Sequence, residues 1–158
     1  MRVSTRSLLM ATAIMLSLNV WSHDLLTKSN GQTVYVPSYT ELYMSSGFKV
    51  KGFSTVTIHN TDPHHSIKVN AVTSYDTHGK LTKQYLEEPL VLASFASKNY
   101  FVRYEKGFDG SGANFIVRWT AAQPVVAPLI ESRMLATSGT QGYSLSSQGR
   151  VVEEVSDN

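Results

Sequence analysis

His59, His64 and His65, with Asp62 between them, are the densest set of potential ligands in the chain. Neutral imidazole beside a carboxylate is a donor set that suits zinc, copper or nickel. His59 closes one extended run and His64 and His65 open the next. A turn at Asn60-Thr61-Asp62-Pro63 would therefore bring the rings to one edge. The spacing matches no zinc signature, and a polar turn facing water uses the same residues. A periplasmic zinc or copper protein using His59, His64, His65 and Asp62 is the alternative reading. His23 adds to it, because as a new N-terminus its α-amine and imidazole would chelate copper as a pair.

Catalytic signatures fail on inspection. A nucleophile elbow needs Gly-x-Ser-x-Gly at a strand-to-helix turn. Asp109 stands two residues before Ser111, and the next run reads as a strand. Gly110-Ser111-Gly112 is no dinucleotide fingerprint, because Phe115 takes the third glycine's place and no helix follows. Glu87 and Glu88 are adjacent, so on an extended chain they point to opposite faces and make a poor acid–base pair. Asp109 and Ser111 offer too few oxygens for calcium. Neither an enzyme nor a cofactor is expected.

Recognition has better material. Phe108 sits in the glycine-flanked loop from Gly107 to Gly110, where an apolar side chain has no evident core to enter. Tyr39 and Tyr43 alternate along a segment that Pro37 marks as a sheet edge. Exposed aromatics anchor partners, and an edge strand can accept another strand. Phe108, Tyr39 and Tyr43 are the expected partner-binding residues, and an envelope protein is the expected partner. The competing expectation is that Phe108 folds back over the end of the domain.

These residues need elements to hold them, and the elements read as strands. Ser54, Val56 and Ile58 share one face of an extended run, with Thr55, Thr57 and His59 on the other. Ile67, Val69, Ala71, Thr73 and Tyr75 alternate with Lys68, Asn70 and Ser74, and Val72 breaks the pattern. Tyr100, Val102 and Tyr104 form a third such set, and Phe115, Val117 and Trp119 a fourth. Period two over four runs predicts half-buried antiparallel strands. Asp76-Thr77-His78-Gly79 reads as a tight hairpin with glycine in the left-handed position. Pro124 and Pro128 bracket the entry to a run from Leu129 to Thr137, and a last strand is expected from Tyr143 to Val152. Trp119 is expected in the core, with its indole N–H needing a partner. The fold class is all-β: one antiparallel β-sandwich, immunoglobulin-like, with about eight strands.

Four segments carry a family resemblance: Gly31-Gln32-Thr33-Val34-Tyr35-Val36-Pro37, Asn60-Thr61-Asp62-Pro63, Gly110-Ser111-Gly112-Ala113-Asn114-Phe115-Ile116-Val117 and Gly149-Arg150-Val151. In these the chain resembles the bacterial domain-of-unknown-function family numbered 3124. The resemblance implies an envelope location and one compact domain, and it brings no catalytic residue with it.

The N-terminus specifies a location. Arg2 and Arg6 precede an apolar run from Leu8 to Leu18, and Val20 and Ser22 have the small-residue spacing of a signal-peptidase site. The run falls short of the roughly 20 apolar residues that span a membrane. Cleavage after Ser22 gives an exported protein of the periplasm or medium, not membrane-spanning. The organisation is then 1–22 signal peptide, 23–31 polar leader, 32–152 sandwich and 153–158 frayed tail. The chain has no cysteine, which excludes disulfides, a thiol nucleophile, thiolate metal sites and an N-terminal lipid anchor. Without Arg2 and Arg6, the 14 Lys and Arg fall level with the 12 Asp and Glu. No basic stripe remains to displace counterions from phosphate, so nucleic acid is not an expected partner. The reading is a non-catalytic binding or accessory module of the bacterial envelope, with its oligomeric state open.

Overall fold

Period-two alternation becomes burial wherever one face of a strand meets a second layer. The computed structural model describes residues 28–45, 47–104 and 110–155. It contains β1 (Lys28–Pro37), β2 (Glu41–Ser45), β3 (Phe48–His59), β4 (Ile67–Tyr75), β5 (Leu81–Gln84) and β6 (Leu90–Leu92). β7 (Ser97–Arg103), β8 (Asn114–Val126), β9 (Leu129–Ser138), β10 (Gln141–Gln148) and β11 (Arg150–Glu154) complete it. No helix occurs among the described residues. The protein is all-β, with two antiparallel sheets in a sandwich-like arrangement.

The first sheet runs β11-β1-β8-β4-β5, with β6 also on β4. The second runs β10-β9-β3-β2, with β7 also on β3. Ser54, Val56 and Ile58 of β3 and Phe115, Val117 and Trp119 of β8 are buried, and their alternates are partly or fully exposed. Their inward faces meet in one core with Val34, Val36, Val69 and Ile130. Trp119 is fully buried as expected, but Nε1 has no hydrogen-bond partner among the described residues.

Several sequence expectations are corrected by pairing. Among the described residues there are eleven strands where about eight were expected, because short edge segments such as β5 and β6 carry no long alternation of their own. In β4 the register on β8 shifts between Val69 and Ala71, so a bulge at Asn70 reverses the phase. Val72 and Ser74 therefore point inward, and Ala71 and Thr73 lie on the half-exposed side. Pro124 belongs to β8 itself, in the stretch where the register to β1 slips between Ser29 and Gly31. A strand tolerates a missing N–H at such a bulge.

The polar leader ends earlier than expected, since Lys28 and Ser29 already pair with Val126 and Val125 of β8. The start of the expected frayed tail is a strand: Glu153 and Glu154 pair with Thr33 and Gln32. Their carboxylates accept hydrogen bonds from Thr33 Oγ1, Gln32 Nε2 and Ser29 Oγ at 2.7–3.0 Å.

The expected strand from Tyr143 to Val152 is two strands, one in each sheet. The chain crosses between layers at Gly149, whose N–H donates to Ile130 O at 2.7 Å. A Cβ at Gly149 would lie 2.6 Å from Val34 Cγ1, so only glycine lets the corner pack on the core. That corner leaves β10 as the outer strand of the second sheet.

Candidate functional site

The turn after β3 is built around two buried polar side chains. Asn60 Nδ2 donates to the carbonyls of His65, Leu92 and Ala93 at 2.8–3.2 Å, and Oδ1 accepts the Asp62 N–H. Asp62 Oδ1 accepts the N–H groups of His64 and His65 at 2.9 and 2.8 Å and lies 3.0 Å from His65 Nδ1. Asp62 Oδ2 accepts the Val126 N–H at 2.9 Å. The backbone amides of Val126 and His64, then of His65, hold this carboxyl well below the usual carboxylate range, and the His65 ring adds to them. The surroundings keep it ionised.

Those bonds decide the chemistry of the turn. The Asp62 side chain is buried and its lone pairs face N–H donors, so it acts as an Asx-type clamp joining the ends of β3 and β8. His64 and His65 are its neighbours, with ring centroids 6.1 Å apart, edge to face. His59 belongs to a different set: Nδ1 is 2.8 Å from Ser97 Oγ, and Nε2 is 3.7 Å from Glu131 Oε1. The structure thus brings Asp62, His64 and His65 together and gives His59 other partners. Among the described residues, no group of three or more His, Asp or Glu side chains is placed to hold a metal ion.

The expected partner-binding residues have a different outcome. Tyr39 and Tyr43 line one cleft of about 600 Å³, and Met44, Tyr143 and Leu145 line it with them. β2 supplies one wall and β10 the other. Leu42 also lines the cleft and belongs to a small second core with Val50 and Ala136, against which Tyr39 and Tyr143 pack. The side chains at the mouth face solvent, with Tyr43 62% exposed and Leu145 51% exposed. Lys49 Nζ stands 4.6 Å from the Tyr43 ring centroid and 3.7 Å from Glu41 Oε2, which orients the tyrosine at the rim. Phe108, Asp109 and His23 lie outside the described residues. Ser111 lines the same cleft, and Glu87 and Glu88 are exposed.

Sequence reading missed Met44, Tyr143 and Leu145, which are distant in the chain and join only through the strand order β10-β9-β3-β2. It also missed a second concavity of about 540 Å³ on the outer face of the second sheet, around Phe53, Phe101 and Leu135. Phe53 and Phe101 have ring centroids 5.1 Å apart, and Arg103 lies over Phe101 at 5.3 Å. A signal was present: Phe101 falls in the same phase as Arg103, where a solvent-facing residue belongs.

The cleft is lined mainly by apolar and aromatic side chains, with tyrosine and serine hydroxyls among them. Among the described residues no helix is long and apolar enough to cross a membrane. No curated protein matches the chain. The crystal structure of Thermotoga maritima 1070 is similar at 13% identity and a TM-score of 0.44, over 78% of this chain and 97% of that one. The family model described as "Protein of unknown function (DUF3124)" matches residues 31–152, and the chain belongs to that family.

Proposed function

We propose that this protein is an exported, non-catalytic binding or accessory module of the bacterial envelope. In this reading the scaffold is an immunoglobulin-like sandwich, and the signal peptide is removed after Ser22. The binding site is the cleft between β2 and β10. One observation carries the proposal: Tyr39 and Tyr43 converge with Met44, Tyr143 and Leu145 on a single exposed apolar concavity. Clefts of this volume and lining desolvate an aromatic or aliphatic side chain of a partner, the usual anchor of a protein interface.

The test has two parts. A reporter active only outside the cytoplasm, fused after residue 30, reads export, and mass spectrometry of the exported protein should find His23 first. A photoreactive phenylalanine analogue at Tyr43, irradiated in intact cells, should give a discrete adduct. The same analogue at Leu81, exposed on another edge, should not. Leu145→Asp should remove the Tyr43 adduct. Equal labelling from both positions would refute the cleft as the binding site.

A further inference from the structure

β10 differs from the other edge strands. Its sequence, Gln141-Gly142-Tyr143-Ser144-Leu145-Ser146-Ser147-Gln148, has eight residues with no charge and no proline, and its pairing to β9 runs without a bulge. Natural edges are guarded by charge, proline, bulges or shortness. β11 carries Arg150, Glu153 and Glu154, β7 carries Lys98 and Arg103, β5 carries Lys83, β2 carries Glu41, and β6 has three residues. Only β10 is a long edge without a guard among the described residues.

The direction of its free backbone groups follows from one hydrogen bond. Gly149 N–H donates to Ile130 O, and Gly149 and Ile130 continue the β10–β9 register by one step beyond Gln148 and Glu131. In an antiparallel ladder bonded pairs alternate, so Tyr143, Leu145 and Ser147 bond to β9. Gly142, Ser144, Ser146 and Gln148 then point their N–H and C=O groups outward, where the sheet has no further strand among the described residues. The opposite side of the ladder agrees, since Gly52 N–H and C=O both turn away from β9, to Thr40 O and Tyr104 N.

We infer that β10 pairs with β10 of a second copy of this chain, antiparallel and about a two-fold axis through Leu145. That register sets Gly142 opposite Gln148 of the second copy and Ser144 opposite Ser146, in both directions. It engages all four outward residues and forms up to about eight backbone hydrogen bonds. Each opposed pair is small or uncharged, so no like charges meet. Leu145, 51% exposed in one copy, meets its own equivalent on the axis. The occupant is a second copy because the strand's pattern is complementary to itself. The two second sheets become one continuous sheet, and the clefts that Leu145 helps to line become neighbours. The inference does not depend on what those clefts bind.

Sedimentation equilibrium of the purified protein should give twice the chain mass, falling to one chain on dilution. Ser144→Lys with Ser146→Lys opposes lysines across the axis and should give a monomer with an unchanged circular dichroism spectrum. Ser144→Lys with Ser146→Glu opposes unlike charges in the same register and should remain a dimer. Leu145→Cys adds the chain's single cysteine at a non-hydrogen-bonded pair, where Cα atoms are about 4.5 Å apart, and should form an intermolecular disulfide on mild oxidation. This variant carries the test if the double lysine variant fails to fold. A wild-type monomer at all concentrations overturns the inference. So does a dimer that survives the two lysines, or a Leu145→Cys chain that stays uncrosslinked.

Discussion

Asp62 Oδ2 accepts the Val126 N–H at 2.9 Å, so a residue of the turn after β3 holds the last residue of β8. This bond joins the ends of strands from two different sheets. It explains why the carboxylate stays ionised while buried, and why the turn acts as a clamp.

Asp62 sets an acid limit on stability. Its folded pKa lies below the unfolded value of about 3.8, so the native state favours the charged form. The contribution is complete above that unfolded value and is lost as pH falls towards the folded one. Melting temperature should therefore drop as pH falls below about 4, and Asp62→Asn should lower it at neutral pH and flatten that acid slope. Thermal melts of both proteins across the acid range measure this. An equal slope in the variant would assign the acid sensitivity to another carboxylate.

Trp119 is fully buried between the sheets. Trp119→Ala should cost about 3–5 kcal/mol, the loss typical of a large buried aromatic. Chemical denaturation monitored by circular dichroism reads it directly. A loss under about 1 kcal/mol would mean the strand phase of β8 is off by one residue.

Gly149→Ala should destabilise by about 1–3 kcal/mol, the range for forcing an extra methyl into a packed core. The clash is with Val34 Cγ1, on a stiff side chain that cannot swing aside. Adding Val34→Ala should recover part of the loss relative to the two single variants, and a double-mutant cycle measures that coupling. Strict additivity would show that the corner is not in contact with Val34.

Zinc and copper should show at most the weak affinity of surface histidines. His59→Ala should leave that response unchanged, because His59 sits with Ser97 and Glu131 and not with His64 and His65. Calorimetric titration of the wild type and the variant checks it. Stoichiometric submicromolar binding lost in a His59, His64 and His65 triple-alanine variant would restore the metal reading.

The β10 edge shows why some features were legible and others not. A strand was expected there, within one run from Tyr143 to Val152, but the corner at Gly149 that splits that run between two sheets was not. The hairpin at Asp76 was legible: Asp76 Oδ1 accepts the N–H groups of His78 and Lys80, and Gly79 adopts φ 77°. The partners that Asp76 bonds in closing that turn lie within four residues of it. The bulge at Asn70 left a trace as the misplaced Val72, but its meaning required the β8 register.

The sequence by itself determined the all-β class, the strand phases of β3 and β8, the burial of Trp119 and the family. Each of these follows from neighbouring residues or from residues spread along the whole domain. Tertiary structure alone decided that Asp62 bonds to Val126, that His59 parts from His64 and His65, and that Tyr39 and Tyr43 share a cleft with Tyr143. It also decided that β10 and β11 enter different sheets at Gly149. The physical reason is that a period of two records which face a residue takes, and carries no record of which strand lies across from it. That choice belongs to strand order, which is set by the packing of the whole core.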